Sequence, residues 1–77
     1  MPKIAASGMK ISTAVISIQD LTSEAFPALN QALKAVPGVQ SIDFSLERSV
    51  AVVEFYVQQT KIDDLLRAVL KAGYKVL

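Results

Sequence analysis

Four oxygen-bearing side chains fall within five residues: Asp20, Thr22, Ser23 and Glu24, inside Ile18-Gln-Asp-Leu-Thr-Ser-Glu-Ala-Phe26. Two carboxylates and two hydroxyls could together approach a hard cation such as Mg²⁺ or Ca²⁺. Such ions take about six or more oxygens, waters included, so Asp20 and Glu24 form a thin donor set. The same residues suit the start of a helix. Either hydroxyl can accept from a free backbone N–H, and Glu24 fits the positive end of the helix dipole. Capping is therefore the preferred reading, with Asp20 and Glu24 kept as weak candidate ligands. Anion binding is disfavoured by the same two carboxylates and by the lack of glycine.

The chain has no Cys and no His. Thiolate and imidazole ligation, disulfides and the commonest nucleophile–base pairs are excluded. Asp63 and Asp64 are neighbours, so on a helix they point about 100° apart and do not form an acid/base dyad. Eight Lys/Arg against seven Asp/Glu leave a net charge of +1, without the basic cluster a nucleic acid partner would require. Neither catalysis nor a cofactor is expected. Apolar residues are 52% and charged residues 19% of the 77, the balance of one small globular domain. The first residues lack the apolar core of a signal peptide or membrane span, and the expected location is cytoplasmic.

The elements that must position this loop follow from periodicity. Residues 1–9 carry Pro2 and Gly8 without a period and read as a flexible lead-in, with the domain at 10–77. Residues 10–18 are rich in β-branched side chains and form a strand, with Ala14, Ile16 and Ile18 on one face. A helix follows from Thr22 or Ser23. Its stripe is Phe26, Leu29, Leu33 and Val36; Pro27 is tolerated in the first turn, and Pro37-Gly38 ends it. Ile42, Phe44 and Leu46 alternate in a second strand. A turn at Glu47-Arg48 leads to a third strand over 49–57, with Ala51, Val53, Phe55 and Val57 on its inner face. A second helix opens at Thr60, with Asp63 as a capping-box partner, and carries Ile62, Leu65, Leu66, Val69 and Leu70. Gly73 stops it, and Tyr74–Leu77 suffices for a short last strand. The order βαββαβ predicts an α+β, ferredoxin-like fold: a four-stranded antiparallel sheet with both helices on one face. Val15, Val50, Val52 and Tyr56, with Thr13, then lie on the uncovered face as a possible partner surface.

Ala32-Leu-Lys-Ala-Val-Pro-Gly-Val39, the hairpin from Ser41 to Phe55, and Asp64-Leu-Leu-Arg-Ala-Val-Leu-Lys-Ala-Gly-Tyr74 resemble heavy-metal-associated domains, the modules of copper chaperones and P-type ATPases. The resemblance covers about residues 12–77. In that family the first strand–helix loop reads Gly-Met-x-Cys-x-x-Cys and holds a soft ion through its two thiolates. Counting back from Ala32-Leu33 puts the thiol positions at Thr22 and Ala25. Counting forward from Ile18 makes Leu21 the methionine equivalent and puts the thiols at Ser23 and Phe26. The counts differ by one residue, and neither yields a thiol. Tyr74 stands where a family aromatic approaches the metal loop, and here it is expected to pack against Leu21. The resemblance implies a degenerate, non-catalytic interaction or regulatory module whose partner is another protein domain or a second copy. A membrane is reached only through a parent or partner transporter. The alternative is residual metal handling through Asp20 and Glu24 or a partner's ligands. A small-molecule regulatory domain of ACT type shares the element order, but favours a glycine at the first strand–helix turn, where this chain has none.

Overall fold

The computed structural model describes residues 10–77, so the expectation for residues 1–9 lies outside the described part. The chain runs β1 (Ile11–Ser17), a 3₁₀ turn (Ser23–Ala25), α1 (Phe26–Lys34), β2 (Val39–Ser45), β3 (Val50–Tyr56) and α2 (Ile62–Lys71). Strand order is β1-β3-β2, with both pairings antiparallel. Placing Ala14 opposite Val53 and Ile42 opposite Val53 aligns the inner residues of all three strands. Ala14, Ile16, Ala51, Val53 and Phe55 are buried there beneath Leu29 and Leu33 of α1 and Leu65 and Val69 of α2. Each fully buried Leu or Val contributes roughly 1.5–3 kcal/mol from lost apolar exposure.

The expected fourth strand is reduced to one bridge, so the described sheet has three strands. Ile18 pairs with Val76, the Gln19 N–H donates to the Lys75 carbonyl (2.8 Å), and the Leu77 N–H donates to the Ser17 carbonyl (2.9 Å). The cause lies at the end of α2. Gly73 adopts a φ of +97°, its N–H donates to Leu70 O, and the Tyr74 N–H donates to Val69 O. This Schellman arrangement spends Gly73 and Tyr74 on the turn and leaves only Lys75–Leu77 to reach the end of β1.

Both helix starts differ from expectation. Thr22 is extended and makes no side-chain cap bond; instead the Ala25 N–H donates to the Thr22 carbonyl (3.0 Å), forming the 3₁₀ turn. Pro27 sits in the first turn of α1, as its missing donor allows. At α2 the cap is Lys61, whose N–H donates to the Asp64 carboxylate (3.2 Å), so the capping pair is one residue later than Thr60 and Asp63. The freed Thr60 is buried at 2% exposure and donates its hydroxyl to the Pro37 carbonyl, tying the start of α2 to the end of α1. Leu46 and Val57 fall in turns and are exposed instead of continuing the inner faces of their strands.

Candidate functional site

The β1–α1 loop is built around two inward side chains. Leu21 is 8% exposed and Ala25 is 3% exposed, and both belong to the core cluster. Asp20, Thr22, Ser23 and Glu24 are all exposed. Asp20 takes a φ of +56°, a left-handed conformation that aspartate tolerates better than most residues, and this turns the chain from β1 into the loop. Phe26, the first residue of α1, lies flat on Phe44 at the end of β2, with ring centroids 4.4 Å apart and planes inclined by 9°. That contact was not foreseen from sequence. The only available signal was that both aromatics fall on inward stripes at the same end of the fold.

Tyr74 is partly buried and packs on the core cluster, of which Leu21 is one member. A shallow cavity of about 280 Å³ beside the loop is lined by Gln19, Asp20, Gly73, Tyr74 and Lys75. Its charged groups are one carboxylate and one ammonium, a poor cradle for either sign of ion. Among the described residues no group of three or more Cys, His, Asp or Glu converges as a metal site. A larger cavity, about 540 Å³, lies elsewhere, between the helices and lined by Ala32, Val36, Ala68, Arg67 and Lys71 among others. It contains no nucleophile–base pair.

The sheet face away from the helices carries Thr13, Val15, Val52 and Tyr56 as expected, but Val50 must be removed from that surface. Val50 is buried at 8% exposure, at the end of β3 where Ser17 and Ser45 flank it and the hairpin turn begins. Val15 is 64% exposed and stands opposite Val52, which in turn faces Asp43 on β2. Next to them the Ser41 hydroxyl donates to the Glu54 carboxylate (3.0 Å). The face is therefore apolar along β1 and polar along β2.

A family model of the heavy-metal-associated domain matches residues 28–75, more than half of the chain. The chain belongs to this family. The loop at residues 19–26 precedes the matched stretch. Oxidized MerP from Ralstonia metallidurans CH34 is 29% identical, with a TM-score of 0.80 over 88% of this chain and 96% of its own. Apo-CopP from Helicobacter pylori is 27% identical, with a TM-score of 0.76 over 86% of this chain and all of its own (100%). The N-terminal domain of a potential copper-translocating P-type ATPase from Bacillus subtilis, solved in the Cu(I)-loaded state, is 25% identical, with a TM-score of 0.78 over 87% and 85%. No curated protein matches the chain. This heavy-metal-associated domain thus resembles, among others, a domain of a potential copper-translocating ATPase, and it has neither a thiol nor an imidazole with which to hold a soft ion. The residues present do not fit such an ion. Among the described residues no helix is long and apolar enough to cross a membrane.

Proposed function

We propose that this domain is a non-catalytic protein-interaction or regulatory module of a metal-transport system, cytoplasmic, and linked to a membrane only through a partner or parent transporter. The Phe26–Phe44 stack carries the reading. At a position that one count assigns to the second thiol, the chain has an aromatic ring seated on the sheet. Leu21 and Ala25 are likewise committed to the core, so the loop's inward side chains serve folding, not ligation. What remains outward is two hydroxyls and two carboxylates, a set that favours hard cations and waters over Cu(I) or Zn²⁺. Val15 and Val52 on the uncovered sheet face supply an apolar surface for a protein partner.

Calorimetric titration of the purified chain with Cu(I), Zn²⁺ and Ni²⁺ tests the reading. The expected result is no saturable heat at micromolar concentrations. A one-to-one isotherm that is abolished in Asp20→Asn/Glu24→Gln protein would overturn it in favour of metal handling by oxygen ligands.

A further inference from the structure

We infer that the outer edge of β1 is a self-complementary docking strand, and that its occupant is the same edge of a second copy of this chain. The inference deepens the interaction-module reading above and rests on it.

Hydrogen-bond directions along β1 alternate. Ile18 N–H donates to Ser49 O and the Lys10 carbonyl accepts from Val57 N–H, so even-numbered residues face β3. Ser17 accepts from Leu77 and Gln19 donates to Lys75, so odd-numbered residues face outward. By the same alternation the N–H and C=O groups of Ile11, Thr13 and Val15 point out of the sheet. Among the described residues no strand covers them, because the C-terminal segment pairs only at the far end of β1. Edges of this kind are ordinarily protected by a charge, a proline or a bulge. Ile11-Ser-Thr-Ala-Val-Ile-Ser17 contains no charge and no proline, and its register against β3 is unbroken.

The surroundings favour an uncharged strand. A cavity of about 390 Å³ runs beside this edge, and Thr13, Val15, Ile62, Leu66, Val76 and Leu77, like the rest of its lining, have no charged side chain. Of the seven large hydrophobic side chains exposed among the described residues, Val15 (64%), Ile62 (52%) and Leu77 (79%) line this cavity, and Ile11 (54%) lies further along the same strand edge. A partner bearing charge along its strand would desolvate it against these groups without compensation. β1 itself has the required chemistry, being extended, uncharged and apolar at alternate outward positions. A two-fold antiparallel pairing with Thr13 opposite Thr13 sets Ile11 of each copy opposite Val15 of the other. The outward N–H and C=O groups then meet in the hydrogen-bonded register. The pairing stops short of Ser17, whose carbonyl Leu77 already occupies. Two three-stranded sheets would become one continuous six-stranded sheet.

Sedimentation equilibrium over a range of concentrations, with amide hydrogen exchange on the same samples, tests this. The expected result is a monomer–dimer equilibrium in which the Ile11, Thr13 and Val15 amides exchange more slowly as concentration rises. Val15→Lys places two like charges near the two-fold axis and should weaken the dimer at least about tenfold. Thr13→Pro removes an outward donor and should do the same, with the far-UV spectrum of both variants unchanged. Should Thr13→Pro fail to fold, Val15→Lys and the exchange data decide. A monomer at every concentration would overturn the inference, as would a dimer whose affinity and β1 exchange ignore the substitutions. Either result, with no metal heat in the titration above, would leave the interaction-module reading standing with a different partner.

Discussion

Ile18 and Ser49 hold each other through two hydrogen bonds. The Ile18 N–H donates to the Ser49 carbonyl at 2.8 Å, and the Ser49 hydroxyl donates back to the Ile18 carbonyl at 2.6 Å. The pair ties the β2–β3 turn to the end of β1, where the loop begins, so the base of the loop is held by a residue 31 positions away. Ser49 does this at a φ of +58°, a conformation that disfavours side chains. Ser49→Ala, which loses the hydroxyl and keeps the unfavourable φ, should destabilise the domain by about 1 kcal/mol. Ser49→Gly should be more stable than Ser49→Ala by about 1 kcal/mol, because glycine accepts positive φ freely. Urea unfolding of the three proteins checks both values. Equal stability of the two variants would show that the backbone at this position carries no strain.

The two glycines at the helix ends separate conformational need from space. Gly38 has a φ of +94°, and a Cβ there would overlap the Thr60 hydroxyl and lie 2.8 Å from the Gln59 Cβ. Gly73 has a φ of +97° with nothing within 4 Å of a Cβ. Gly73→Ala should therefore incur only the backbone cost of about 1–2 kcal/mol. Gly38→Ala should add displacement of the buried Thr60 and its bond to Pro37, for a total of about 3 kcal/mol or more. Thermal and chemical denaturation of the pair would decide. Similar losses at both sites would mean that the α1–β2 junction yields more readily than the packing around Thr60 suggests.

Exposure on the outer sheet face can be tested by charge. Val52→Lys, at a half-buried site on the open face, should cost no more than about 1 kcal/mol. Asp43 stands opposite it and can pair with the new ammonium. Val50→Lys, in a site only 8% exposed, should destabilise the domain by several kcal/mol, about 3 or more, because its charge has no water to return to. The two unfolding midpoints give the comparison directly. A well-folded Val50→Lys protein would restore Val50 to the open surface.

Much of this architecture could be read from residue spacing. The stripe of α1, the alternation of Ala51, Val53 and Phe55 in β3 and the stop at Gly73 each depend on one local period or one φ-permissive residue, and the structure places them as expected; the α2 stripe is narrower than read, with Leu65 and Val69 buried but Ile62 and Leu70 each 52% exposed. The errors arose where a long-range contact outweighed the local rule. Thr60 looks like a cap but bonds Pro37 in another element. Val50 has the parity of an outward residue but is covered at the sheet end. The fourth strand shortens because the turn at Gly73 and Tyr74 consumes its first residues. The Phe26–Phe44 stack is likewise invisible to periodicity, since nothing local states that a loop residue will meet β2.

The two ways of aligning the lost thiols make opposite predictions, and the loop geometry chooses between them. Ser23 and Phe26 flank one 3₁₀ turn, where side chains three residues apart nearly eclipse and so converge. Ser23 is exposed and Phe26, though it packs on Phe44, is only half-buried, so a thiolate at 26 keeps more access to a solvent-borne ion than one at Ala25. Thr22 is extended and exposed, whereas Ala25 points into the core at 3% exposure, so thiols at these two positions would diverge. Ser23→Cys/Phe26→Cys should therefore gain two-thiolate binding of Cu(I) or Zn²⁺. The cost is about 1–3 kcal/mol of stability from losing the ring stacked on Phe44. Thr22→Cys/Ala25→Cys should bind far more weakly. Thiolate-to-metal charge-transfer absorption and competition with a chromophoric Cu(I) chelator would rank the two proteins. If the Thr22/Ala25 pair binds as tightly as the Ser23/Phe26 pair, then the loop rearranges around metal and the core role assigned to Ala25 is wrong.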